Sequence, residues 1–136
     1  MNLPTSNSFF EKRLAFKGLL RFHQSKTAMK IRILAGWTTV QTEQDALRLA
    51  RGMVDNSLAA CVQVNGPISS TYRWKGAVET SEEWRLTAKF TQDRAKDLKR
   101  WLLENHPYEE PQWIAVQAED ISSAYAEWVW EETRPS

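Results

Sequence analysis

The chain has 136 residues, of which 42% are hydrophobic and 26% charged, a length and composition typical of a single soluble globular domain. No apolar run approaches the roughly 20 residues that a membrane-spanning helix requires, so we expect no membrane partner. The only cysteine, Cys61, excludes an intrachain disulfide and favours a reducing compartment, so we expect a cytoplasmic protein.

The net charge of +1 is unevenly distributed along the chain. Residues 1–29 contain five basic residues and one acidic residue, a net charge of +4, whereas residues 30–136 contain 13 basic and 16 acidic residues, a net charge of −3. An acidic body argues against nucleic acid as the partner. We predict a domain over residues 30–136 after a basic N-terminal extension of residues 1–29. Two interpretations of the extension stay open: a basic amphipathic helix resembling a transit or membrane-surface segment, and a disordered or untranslated leader before a start at Met29.

The first predicted elements are a strand and a helix. Alternating apolar residues over Ile31–Thr39 predict a strand with Ile31, Ile33, Ala35 and Trp37 on one face. Thr42 with Asp45 three residues later resembles a capping box, which predicts a helix that begins there and ends near Asn56. Its apolar stripe is Ala46, Leu49, Ala50 and Met53.

A long β-hairpin follows. The segment Leu58–Lys75 is extended in character, but a straight strand of that length would span roughly 55 to 60 Å, too long for a small domain. We therefore predict a bend at Gly66-Pro67, because proline has no N–H for the sheet ladder. Gly76 supplies the turn, and Glu79–Phe90 returns with apolar and polar residues in alternation.

The remaining elements complete a known arrangement. We predict a helix over Gln92–Asn105 that Pro107 prevents from continuing, a strand over Gln112–Ala118 and a short helix over Ser122–Glu131. The order β-α-β-β-α-β plus a helix predicts an α+β, ferredoxin-like sandwich. Right-handed crossovers would place both central helices on one face of a mixed sheet and leave the other face open.

An open sheet face and seven tryptophans in so short a chain favour self-association. Exposed strand edges and apolar patches invite pairing with another chain, and not all of the indole rings can fit inside one small core.

Several motifs together resemble the divalent-cation tolerance CutA family. They are the strand sequence LAACV at Leu58–Val62, the hairpin sequence YRWKG at Tyr72–Gly76, Glu79, Lys89 and the sequence HPYEEP at His106–Pro111. The resemblance implies a ferredoxin-like subunit in a homotrimer, similar in architecture to nitrogen-regulatory signal-transduction trimers. It also implies copper or another divalent cation as a ligand. Thr38 stands where some family members have cysteine.

The residues that suit a metal ion are Cys61, His106 and Glu79. Thiolate and imidazole are ligands that copper and zinc prefer, and a carboxylate can complete the set. Their spacing has no chelating pattern, so the fold or a second subunit would have to assemble the site. The alternatives are a small buried strand residue for Cys61, a helix-end cap for His106 and a solvated hairpin residue for Glu79.

The sequence contains no constellation for catalysis. The glycines occur singly, so no phosphate-binding loop is present, and His106 is the only credible base in the predicted domain. We therefore expect a non-enzymatic, metal-linked homotrimer without catalytic or cofactor-binding residues. The alternative function is a small-ligand sensor or signalling scaffold, with Tyr72, Trp74 and Tyr108 lining a cleft between subunits. Two interpretations of Glu83, Arg85 and Lys89 on the wet strand face stay open: a site for an anion or another ion inside the trimer, and an interior salt-bridge ladder.

Overall fold

The computed structural model describes residues 31–135, so the predicted basic extension of residues 1–29 lies outside the described residues. No helix within this range has the length and apolar character needed to cross a membrane. The elements, in chain order, are β1 (Ile33–Val40), α1 (Glu43–Asp55), β2 (Cys61–Trp74), β3 (Ala77–Thr91), a 3₁₀ turn (Gln92–Arg94), α2 (Ala95–Asn105), β4 (Ile114–Gln117) and α3 (Ser123–Glu132).

The four strands form one sheet in the order β2-β3-β1-β4, which confirms the predicted ferredoxin-like α+β fold. Every neighbouring pair is antiparallel, so the expectation of a mixed sheet was wrong. The crossover through α1 does make β1 and β2 parallel. However, β3 lies between them, and β1 in turn lies between the parallel strands β3 and β4.

Helix α1 begins as its sequence predicts. The Asp45 backbone N–H donates to Thr42 Oγ1 at 3.1 Å, which satisfies one of the free donors of the first turn. The helix then packs closely against α2 at Gly52. A Cβ atom on Gly52 would lie 2.4 Å from the Trp101 ring, so a larger residue would push the two helices apart.

The main core lies between the sheet and the helices α1 and α2. Leu49 and Met53 of α1, together with Leu98 and Leu102 of α2, are fully buried. They pack against the even-numbered side chains of the central strands, which are Val40, Leu86, Ala88 and Phe90.

Helix α3 covers one end of the opposite sheet face. Ala126 and Val129 form a smaller buried cluster with Ile33. The end of the chain is fixed by Arg134, which donates to both carboxylate oxygens of Asp93 at 2.8 and 3.1 Å and lies over the Trp130 ring. The hydrogen bond from Arg134 lowers the pKa of Asp93 to about 2.

The rest of this second face is called the open face below. One row of paired residues across it is Cys61, Lys89, Ala35 and Val116, and the next is Gln63, Thr87, Trp37 and Ile114. Ile114 is 57% and Val116 48% exposed. The predicted open sheet face is therefore present in the subunit.

The hairpin bends where the sequence predicts. The register of β2 against β3 shifts between Asn65, which pairs with Arg85, and Ile68, which pairs with Glu83. Since β2 advances three residues while β3 advances two, the side chains of β2 exchange faces at this bulge. Gly76, with φ +83°, then closes the hairpin.

We expect Leu49→Ala to lower the free energy of unfolding by about 2 to 5 kcal/mol, because it removes a fully buried side chain and leaves a cavity. Leu47→Ala on the same helix is the matched control. Leu47 is 54% exposed, so its change should stay within about 0.5 kcal/mol. Urea unfolding followed by circular dichroism, at one fixed protein concentration, measures both. Equal losses would contradict the described core.

Candidate functional site

The segment after α2 is held against β1 by His106. This residue is the C-cap of α2 and is 9% exposed. The Tyr108 backbone N–H donates to His106 Nδ1 at 3.1 Å, and His106 Nε2 lies 2.9 Å from Thr38 Oγ1. Because Nδ1 accepts a bond, the neutral ring carries its proton on Nε2 and can donate it to Thr38. Both ring nitrogens of His106 therefore have hydrogen-bond partners within the chain.

The surroundings of His106 favour this neutral form. Burial lowers the pKa of His106, and the positive charge of Arg48 lowers it further. A backbone hydrogen bond to Thr39 and the charges of Asp45 and Glu83 act in the opposite direction but do not outweigh burial.

Tyr108 links the segment that follows α2 to strand β3 of the long hairpin. Its hydroxyl donates to Glu83 Oε2 at 2.8 Å, and its ring centroid lies 5.0 Å from that of His106. Burial, followed by the hydrogen bond to Glu83, raises the pKa of Tyr108 well above its usual range. Glu83 is 9% exposed. Thr38, Glu83, His106 and Tyr108 are called the β1-end cluster below.

Two further hydroxyl groups lie beyond this cluster along the hairpin. Tyr72 Oη lies 3.1 Å from Ser81 Oγ, and Ser81 points to the same sheet face as Glu83. Tyr72 also contributes to the raised pKa of Tyr108, since the two phenols are close enough to interact electrostatically. The predicted cleft between subunits stays a prediction, and Trp74 lies further out on the hairpin and is 51% exposed.

The three residues predicted to suit a metal do not meet in one chain. Cys61 begins β2, whereas Glu79 pairs with Tyr72, eleven residues further along that strand. This separation corresponds to roughly 30 to 35 Å. His106 contacts Thr38, which lies on the sheet face that covers the main core. Within residues 31–135, no group of three or more His, Cys, Asp or Glu side chains could hold a metal ion.

Cys61 faces the open side of the sheet. Its neighbours Val62 and Val64 pack against the main core, so the alternating side chain of Cys61 points the other way, beside its cross-strand partner Lys89. The thiol is half-buried and forms no disulfide. Glu79, the partner of Tyr72, points to the same face but lies near the far end of the hairpin, so Cys61 is the predicted residue within the two rows of the open face that contain both polar and apolar groups.

The predicted salt-bridge ladder is not formed in the subunit. Lys89 Nζ donates to Gln63 Oε1 at 2.6 Å, and Glu83 accepts from Tyr108. None of the ion pairs of residues 31–135 includes Glu83, Arg85 or Lys89.

Sequence reasoning found half of the β1-end cluster. His106 and Tyr108 belong to the HPYEEP motif, which the sequence marks as a candidate site. Glu83 is marked only as one of the charged residues of the wet strand face. Thr38 was noted only as a replacement for cysteine. The sequence does contain a signal for Thr38: it shares the core-facing side of β1 with Leu34 and Val40. A buried hydroxyl at such a position needs a hydrogen-bond partner, which indicates a polar contact there.

Comparisons with known proteins agree on one family. The family described as CutA1 divalent ion tolerance protein matches residues 34–132. The chloroplastic protein CutA of Arabidopsis thaliana is 32% identical over 133 residues, which are 97% of this chain and 71% of that protein. The divalent-cation tolerance protein CutA of Thermus thermophilus is 34% identical over 95 residues, 70% of this chain and 92% of that protein. The structure of CutA from Synechococcus elongatus superposes with a TM-score of 0.73 at 35% identity, covering 76% of this chain and 91% of that one.

The lowered pKa of His106 predicts a loss of stability in acid. Below about pH 6.5 the unfolded chain binds a proton at this residue more readily than the folded chain, so the stability that neutral His106 contributes falls as the pH decreases. His106→Gln is the control, since its amide can replace both hydrogen bonds but does not titrate. Between pH 7.5 and 5 the wild type should lose more stability than the variant, by at most about 1.4 kcal/mol per pH unit for one proton. Parallel curves of Tm against pH would contradict the assignment.

Proposed function

The chain belongs to the CutA1 divalent ion tolerance protein family, and on that basis we propose that it is a non-catalytic homotrimer that binds copper or another divalent cation. The observation that carries this proposal is the position of Cys61 on the open face, where a second copy can complete a site that residues 31–135 of one chain do not form. We place its action in the cytoplasm, in the response of the cell to the metal.

The open face supports assembly. It carries the exposed side chains of Ile114 and Val116, and beyond the bulge it continues with Tyr72 and Trp74, which are 43% and 51% exposed. Among the strands of residues 31–135, the outer edges of β2 and β4 also lack a strand partner, since both are edge strands of the sheet. Long exposed edges and apolar patches favour pairing with further copies, and a closed ring of copies leaves none of them free to aggregate.

Cys61 is the strongest candidate among the three proposed metal ligands. Copper binds soft thiolate ligands strongly, and the half-buried Cys61 lies on the proposed interface. Glu79 is exposed near the end of the hairpin and could reach another copy as a second ligand. His106 fits less well, because a metal would have to displace either the Tyr108 N–H or Thr38 from its ring.

A small-ligand sensor is the second candidate function. It is favoured by the contact of Tyr108 with Glu83, which places a phenol from the segment after α2 beside a carboxylate of β3. A binding site built from these groups does not require the thiol, so a substitution of Cys61 distinguishes the two functions.

Copper binding should depend on Cys61. We expect Cys61→Ser to weaken the affinity for copper(I) at least tenfold, because a hydroxyl is a poor ligand for a soft ion. An anaerobic titration of wild type and variant against a competing chelator measures this. Copper should also protect the wild-type thiol from alkylation by iodoacetamide. Identical titration curves for the two proteins would exclude Cys61 as a ligand and leave the sensor function.

Assembly should depend on Trp74. We expect Trp74→Ala to raise the concentration for half-dissociation of the trimer at least tenfold, since a large ring would leave the proposed interface. Val78→Ala is the matched control: Val78 is 64% exposed on the same hairpin, and its partner Arg73 shows that it points to the opposite face. Sedimentation analysis measures both. A folded wild-type monomer at micromolar concentration would refute the trimer.

A further inference from the structure

Glu83 is a buried carboxylate with only one protein partner in the described structure. It is 9% exposed, and Oε2 accepts the hydroxyl hydrogen of Tyr108 at 2.8 Å. None of the ion pairs of residues 31–135 includes it. Its second oxygen, Oε1, is not among the side-chain atoms of this range that are sealed from solvent without a partner. Oε1 therefore keeps contact with solvent, where a group from outside the chain can reach it.

Glu83 is 9% exposed and has lost most of its contact with water, so a positive charge at its accessible oxygen would stabilise it. Removing a charged group from water is costly unless hydrogen bonds and an opposite charge replace the lost hydration. Tyr108 supplies a hydrogen bond but no charge. The neighbouring Glu82 provides a contrast, because it has the same side chain but points to the opposite face and is exposed.

The groups around Glu83 suit an organic cation better than a metal ion. The Tyr108 hydroxyl contacts Glu83, Tyr72 points to the same sheet face as Glu83, and Tyr72 with Ser81 adds two hydroxyl groups. Glu83 belongs to no group of three potential metal ligands in residues 31–135. An ammonium or guanidinium group, in contrast, can donate to a single carboxylate oxygen and to hydroxyl oxygens while its charge lies against aromatic rings.

We propose that Glu83, together with Tyr108 and Tyr72, forms a binding site for an ammonium or guanidinium group. The cation comes from a small molecule or from a lysine or arginine side chain of a second copy of this chain. The proposal builds on the second candidate function, to which it gives a ligand class, and is independent of copper binding at Cys61.

The test compares Glu83→Gln with Glu82→Gln, two variants with the same change of charge. The first measurement is sedimentation analysis of assembly. The second is an NMR titration with methylguanidine and methylammonium at constant ionic strength, followed at the Tyr108 and Glu83 amides. Tetramethylammonium, which cannot donate a hydrogen bond, is the control cation and should bind more weakly. Circular dichroism checks folding, and if Glu83→Gln does not fold, Glu83→Asp takes its place.

The two sources of the cation give different results. If a second copy supplies it, Glu83→Gln weakens assembly at least tenfold while Glu82→Gln does not. If a small molecule supplies it, assembly is unchanged, and the wild type shows saturable shifts that Glu83→Gln reduces at least tenfold in affinity. Should the Glu83 variant match Glu82→Gln in both measurements, the proposal is overturned. Copper affinity, measured on the same variants, reports separately on the metal function.

Discussion

A four-stranded sheet has two faces, and the two helices of the ferredoxin-like crossovers can cover only one of them. Here α1 and α2, with 13 and 11 residues, bury the face that contains Leu86, Ala88 and Phe90. The ten-residue helix α3 protects one end of the other face and, within the described part of the chain, leaves the rest uncovered. Both proposed sites follow from this constraint, because Cys61 and Glu83 lie on that uncovered face or on its continuation along the hairpin.

The bulge between Asn65 and Ile68 decides which residues share the open face. Without the register shift, Tyr72 and Trp74 would point to the same side as Val62 and Val64 and continue the main core. With it, the aromatic rings join the face of Cys61. The sequence predicted the bend from Gly66-Pro67. It did not predict the exchange of faces, because a bend with one extra residue and a bend with two look alike in composition, yet only an odd number changes the parity.

The elements of the fold were predictable because their signals are local. The Thr42 cap, the apolar stripe of α1 and the alternation in β3 each lie within a few residues. The choice of covered face was harder in β1, where Ile33 and Trp37 on one side look as apolar as Leu34 and Val40 on the other. The β1-end cluster was only half predictable for a related reason: Thr38 and His106 are 68 residues apart, and Glu83 and Tyr108 are 25 apart, so only the folded chain brings them together.

The position of these groups connects ligand binding to assembly. In the assembly proposed above, a second copy covers the surface that contains Cys61 and Glu83, so a ligand at either residue and a neighbouring subunit would act on the same groups. Thermodynamic linkage then requires reciprocity: a ligand that binds the assembled protein more tightly than the free subunit strengthens assembly by the same factor. A ligand that instead competes with a neighbouring side chain weakens assembly to the same degree. In the proposed assembly, the open face would allow a change in ligand concentration to become a change in oligomeric state without any rearrangement of the subunit core.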